Sequence, residues 1–293
     1  MNTKDATCTL VAEEPLADGH CHLQDCRFDS EHVHEILTDK TVSYIVVNGC
    51  CPDDWSRVAE LWKAYPQVIL PQFGLHPWWV SKQSGCWLEE LKRVLEEHPS
   101  AGLGECGLDK SGRWASSFTV QKEAFAAQIQ LALSLGRPLS IHCVKAYGHI
   151  LEHLSVVNGR VPVLLHGWAG SAEMTQMFAK HLKNVYFSIN LGITRLDPIR
   201  ASQMLNDIPP ELYILESDGP DGVLSKDRWA VWCSSLPQLQ SVAKALDHRI
   251  AQAHEQGHPS NIILVAHIVG ALTHQCPKSI MATSVANITK IFA

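Results

Sequence analysis

The chain carries a His-x-His pair, His20 and His22, inside the stretch Ala17-Asp18-Gly19-His20-Cys21-His22-Leu23. On an extended strand alternate side chains share a face, so the two imidazoles project together, and Asp18 with them. Imidazoles placed in this way chelate a divalent cation. Alone the pair says little, because the chain has 16 histidines and two loop histidines satisfied by hydrogen bonds would give the same pattern. Five further segments add to it: Gly74-Leu75-His76-Pro77, Gly104-Glu105-Cys106-Gly107-Leu108-Asp109, Ile141-His142-Cys143, Leu165-His166-Gly167-Trp168 and Leu215-Glu216-Ser217-Asp218. Each closes a short apolar run, and each carries a histidine or a carboxylate.

Those apolar runs are the elements that must position the cluster. Eight strands are expected: Leu16–His22, Val42–Gly49, Val68–His76, Ala101–Leu108, Pro138–Cys143, Val161–Gly167, Val185–Asn190 and Leu212–Asp218. Near-continuous apolarity is the mark of parallel strands covered on both faces. Helical segments lie between them, at Pro52–Tyr65, Gly85–His98, Thr119–Leu135, a short one closing over Glu152–Val157, Ser171–His181 and Asp197–Asn206. Strand and helix alternating in this way predict an α/β fold, a (β/α)8 TIM barrel. In such a barrel chemistry sits at the C-terminal ends of the strands, where the six segments fall. Leu236–Gly257 and a last helix, Pro277–Phe292, are expected to cap it. No low-complexity linker or repeat divides the chain, so residues 15–293 read as one domain behind an N-terminal tail, 1–14.

Parity adds detail. Glu216 shares the face of Asp218, where it either orients a ligand imidazole from behind or pairs with a base on a neighbouring strand. Cys21, Cys106 and Cys143 have the opposite parity and should face the helices as inert thiols. Trp78, Trp79 and Trp168 fall in loops at the same end, where they either stack on a nucleobase or pack as a lid.

With 46% hydrophobic and 18% charged residues the chain can bury a sizeable core. A net charge of −6 argues against a generally basic, nucleic-acid-coating surface, but leaves open a site where cations rather than lysines meet phosphate. The ten cysteines include no C-x-x-C. With no secretory apolar segment near the start and no run long enough to cross a bilayer, they read as reduced thiols of a cytoplasmic or nuclear protein without membrane association, expected to be monomeric.

Taken in order, the six segments resemble the motifs of the TatD family of metal-dependent hydrolases and deoxyribonucleases, within the amidohydrolase superfamily, and Ala286–Phe292 resembles its terminal helix. The resemblance implies two divalent ions, zinc, manganese or magnesium. His20, His22 and Asp218 would hold one ion, His142 and His166 the other, and Glu105 would bridge them. It makes Asp218 and Glu105 the catalytic pair, with Asp218 accepting the proton of a metal-activated water that attacks a phosphodiester of single-stranded DNA. His76, Trp168 and Lys145 are the expected substrate contacts. Two features depart from the family. Val144 stands where nuclease members carry an arginine, with Lys145 beside it, and the stretch Gly219–Trp229 lacks their basic run. The same chemistry on a carbonyl carbon, as in an ester or amide hydrolase acting on an aminoacyl-tRNA, is one alternative. A non-catalytic metal-stabilised scaffold is another.

Overall fold

The computed structural model describes residues 15–83 and 85–293. The tail expected over 1–14 lies outside the described residues. Eight strands, β1 (Leu16–Cys21), β2 (Val42–Asn48), β3 (Ile69–Phe73), β4 (Gly102–Asp109), β5 (Leu139–Val144), β6 (Val163–Leu165), β7 (Val185–Ile189) and β8 (Tyr213–Leu215), pair in parallel in chain order. β8 returns to β1 through an isolated Cys21–Gly219 bridge, so the sheet curls into a nearly closed (β/α)8 barrel.

The helices are α1 (Ser30–Thr38), α2 (Pro52–Ala64), α3 (Trp87–Glu97), α4 (Phe118–Leu135), α5 (Tyr147–Leu154) and α6 (Ala172–His181). They continue with α7 (Pro198–Asn206), α8 (Lys226–Ser235), α9 (Leu239–Ala245), α10 (Asp247–Ala253), α11 (Ile262–Thr273) and α12 (Pro277–Phe292). Local chemistry sets several of their ends. Asp29 and Ser171 cap α1 and α6 through His32 N and Met174 N, and Pro52 and Pro198 occupy the first turns of α2 and α7, where a missing N–H costs nothing. None of the helices among the described residues is long and apolar enough to cross a membrane.

Two layers of core follow from strand alternation. Outward-facing residues such as Leu103, Ile141, Leu165 and Phe187 pack against the helices, and Cys21 and Cys106 lie fully buried among them, on the face their parity predicts. At the N-terminal mouth Ala17, Val46, Leu164, Tyr186 and Ile214 join Ile288, Ile291 and Phe292 of α12 in a separate cluster. The Asn287 amide donates to the Glu211 and Tyr213 carbonyls at 2.9 and 2.8 Å, and Leu215 N donates to Ser284 Oγ at 2.8 Å, so α12 seals that end through polar contacts with β8 and the turn before it. Following the same faces upward leads from Leu164 to His166, from Tyr186 to Asn190 and from Ile214 to Glu216 and Asp218. One mouth is dry; the other is polar.

Candidate metal centre

Glu105 is the pivot of the polar mouth. Five imidazole nitrogens surround its buried carboxylate: His142 Nδ1 at 2.8 Å, His20 Nε2 and His76 Nε2 at 3.3 Å, His22 Nε2 at 3.5 Å and His166 Nε2 at 3.8 Å. They come from the ends of β1, β3, β5 and β6. Gly107 makes this convergence possible, since its backbone has φ +145° and any Cβ there would lie 2.0 Å from the His142 carbonyl oxygen. That close approach of β4 to β5 sets Glu105 and Asp109 on either side of the His142 ring, with Asp109 Oδ2 3.6 Å from its Nε2.

The outer partners of these rings decide which nitrogen faces inward with a lone pair. His22 Nδ1 lies 2.8 Å from the Asn48 carbonyl oxygen, which only accepts, so Nδ1 carries the proton and Nε2 does not. That Nε2 then points a lone pair at Glu105, at Asp218 Oδ1 4.0 Å away and at His20 Nε2 3.2 Å away. His166 Nδ1 lies 2.8 Å from Glu216 Oε1, another acceptor, and its Nε2 faces Asp218 Oδ1 at 3.9 Å. Lone pairs converging on carboxylates repel one another unless a cation stands between them. A buried set of imidazoles and carboxylates with this orientation therefore fits divalent ions.

The electrostatics agree. Burial drives His20 down to about 3, with the nearby His166 adding to it, and burial takes His76 to about 4, so both are neutral donors. Burial opposes charge on His166 as well, but Glu216, Asp218 and Glu105 outweigh it and hold its pKa at about 10, so the metal-free ring carries a proton on Nε2 that a cation entering there would displace. Burial lifts Asp218 to about 6 despite His166, whereas Glu105 stays well below the usual range because His76, His20 and their neighbours overcome its burial. The field of the pocket favours positive charge.

All six expected ligands meet here. Ligand atoms of His20, His22 and Asp218 lie within 4.8 Å of one another, as do those of His76, Glu105 and His142, and those of His20, His166 and Glu216. The second expected group is thus arranged differently: His166 stacks on His20 with centroids 3.6 Å apart, while its ring is 6.1 Å from that of His142. Of the two readings of Glu216, it lies behind His166, where it also accepts from Gly167 N at 2.8 Å and from the Asn190 amide at 2.7 Å. His76 stands inside the cluster, and Lys145 is exposed just past β5 with φ 55°.

Trp168 does not reach the mouth. Gly167 adopts φ 53° and turns the chain, so the indole drops into the outer core against Phe178 and Phe187, donating to Thr175 Oγ1 at 2.8 Å. Trp78 is the tryptophan left open at this end. Sequence reasoning did not single out Asn48, Asn190, Cys50 or the role of Asp18. Asn190 shares the face of Tyr186, a parity that would have found it. Cys50 Sγ, 3.6 Å from His22 Nδ1, carried no such signal.

Asp218 is held in the left-handed region at φ 52°, a costly conformation for a side chain with a Cβ, and its N–H donates to the His20 carbonyl at 3.0 Å. Below it Asp18 accepts from Ser217 N at 2.9 Å and from Ser217 Oγ, and so ties β1 to the segment that follows β8.

A family model described as TatD related DNase matches residues 17–293. The Cut9-interacting protein scn1 of Schizosaccharomyces pombe is 25% identical over 295 residues, an alignment covering 70% of this chain and 87% of that protein. The 3'-5' ssDNA/RNA exonuclease TatD of Edwardsiella piscicida is 28% identical over 180 residues, covering 60% of this chain and 67% of that one. Among solved structures, YjjV, a TatD homologue from Escherichia coli K12, superposes with a TM-score of 0.76 at 22% identity, covering 94% of this chain and 97% of that one.

Proposed function

This chain belongs to the TatD family of metal-dependent hydrolases, and on that premise we propose that it is a deoxyribonuclease of the exonuclease type, acting on single-stranded ends with two divalent ions. The observation that carries the reading is the Glu105 cluster: five imidazoles converge on one buried carboxylate, with Asp218 beside them. In this proposal His20, His22 and Asp218 would hold one ion and His142 and His166 the other, with Glu105 serving as the carboxylate common to both. Ions bound there supply an acidified water and neutralise charge on the phosphate oxygens.

The chain's own groups do the rest. Asn48 O and Glu216 fix the tautomers of His22 and His166, so that their Nε2 atoms stay available. Asp218 Oδ1, on the open side of the cluster, takes the proton of the attacking water. Its left-handed backbone, pinned to the His20 carbonyl, keeps that oxygen aimed inward. His76 Nε2 sits on the same carboxylate and steadies it as the phosphate arrives. Lys145, exposed past β5, meets the incoming strand. Cys21, Cys26, Cys50, Cys51, Cys86, Cys106, Cys143 and Cys233 are free thiols, which suits a reducing cytoplasm, and we read the protein as a monomer there.

The test combines elemental analysis with turnover of labelled single strands, duplexes and model esters. Two ions per chain and 3' end trimming of single strands are expected. Asp218→Asn should keep metal supplied in excess yet turn over at least about a hundredfold more slowly. Turnover of esters alone, or a protein with no ion at all, would overturn the reading.

A further inference from the structure

We propose that Trp78, backed by Trp114, is a stacking platform that seats a nucleobase of a single strand beside the metal centre; the proposal rests on the nuclease reading above and names how that site grips its substrate. Trp78 follows His76-Pro77 at the top of β3 and is 39% exposed, a large apolar surface left open at the mouth. It is nonetheless fixed on several sides. Its Nε1 donates to Asp109 Oδ2 at 2.6 Å, and Asp109 is itself held by Ser111 N at 2.8 Å. Its ring lies nearly parallel to Trp114, 10° between planes with centroids 5.2 Å apart, and meets His76 edge-on at 4.9 Å. An indole immobilised before any ligand arrives loses little entropy when a second ring stacks on it.

Position and charge point to a base rather than to another protein side chain. The ring centroid lies 6.1 Å from that of His142, so a base resting on Trp78 keeps its own phosphate at the Glu105 cluster. The segment that supplies Trp114 also supplies cations. The Arg113 guanidinium lies over the Trp114 ring at 4.5 Å, and Lys110 is exposed at the end of β4. These groups stand after β4, whereas β5 ends on Val144, which carries no charge. Stacking tolerates any base, so the platform grips strands without reading sequence.

The test measures binding of a labelled phosphorothioate single strand, which resists cleavage, to the metal-loaded protein. The same strand with abasic residues at its 3' end is the comparison. Wild type should bind the intact strand at least about tenfold more tightly. Trp78→Ala should lose that advantage, with both strands bound equally weakly and the melting temperature little changed. Trp78→Phe, which keeps a ring but drops the bond to Asp109, should retain most of it. An intact and an abasic strand bound equally by wild type would overturn the platform without requiring any variant to fold. So would Trp78→Ala with an unchanged preference for bases and an unchanged KM. In that case continued cleavage of single strands would leave the nuclease reading standing. A protein that cleaves no strand would bring down both.

Discussion

The two halves of the centre use the same side chains but are joined by different bonds. Between β4 and β5 a backbone ladder runs from Cys106 through Asp109 against Ile141 through Val144; His142 sits on it opposite Gly107, and Glu105 stands just before its first rung, where the register shifts. Between β8 and β1, among the described residues, the strands share only the Cys21–Gly219 bridge. His20 and His22 are brought to Asp218 there by three contacts: His22 N on the Gly219 carbonyl at 2.8 Å, Asp218 N on the His20 carbonyl, and the buried Asp18 carboxylate on Ser217. A ladder distributes its support over many peptide groups. The seam rests on these few contacts, with the Asp18 carboxylate the side-chain tie among them, so the two halves should fail differently.

The largest effect should come from the residue that belongs to both. Glu105→Ala removes the pivot of five imidazoles, and turnover should fall by at least about 10³-fold, with elemental analysis showing loss of metal from the whole centre. A variant that kept one ion tightly would show the halves to be independent.

Asp18→Ala sharpens the contrast. It leaves the Ser217 N–H, the Ser217 hydroxyl proton and the His20 N–H without their acceptor in a buried seam, at a cost of about 1–3 kcal/mol in unfolding free energy, and it loosens His20 and His22 enough to lower metal affinity roughly 10–100-fold. The matching change on the ladder side is Ser140→Ala, whose buried hydroxyl has no partner to lose. It should move stability by no more than about 0.5 kcal/mol. Denaturant unfolding and metal titration of the pair would check this, and equal costs would dissolve the distinction.

The last effect concerns pH. His258 lies just before the turn that packs behind β1, against His32 of α1, and burial, with His32 and Arg249 adding to it, lowers its pKa to about 4. The unfolded chain takes up this proton near pH 6.5, the folded one only near 4. Stability is therefore complete above about pH 6.5 and drains away as pH falls towards 4, by at most about 3 kcal/mol. His258→Gln should flatten the acid side of the melting-temperature profile while leaving the neutral side alone.

Much of the molecule was legible in the sequence because parallel strands announce themselves. All eight apolar runs became strands, and the parity of His20, His22 and Asp218 placed them on one face. Helices hid where their pattern did. α11 is Ile262–Thr273, buried nearly all round, and such a segment shows no amphipathic period. Leu236–Gly257, read only as a capping segment, holds two short helices, α9 and α10, that break at Leu246. The site's second layer was hidden because it is built across chain distance. Neither Ser217 under Asp18 nor Trp114 under Trp78 follows from spacing, and Trp168 left the mouth through the left-handed turn of a single glycine.

The seam also bears on how the protein is made. Asp18 and Ser217 are 199 positions apart, so at about 5–20 residues per second the first strand leaves the ribosome roughly 10–40 s before its partner exists. Through that interval β2 can shield one edge of β1, while the other edge carries an open histidine pair and unpaired peptide groups. No nascent or prematurely terminated chain that stops short of residue 218 can complete the cluster. Assembly of the cluster is thereby tied to synthesis of the chain through Asp218, the last of its carboxylates to appear.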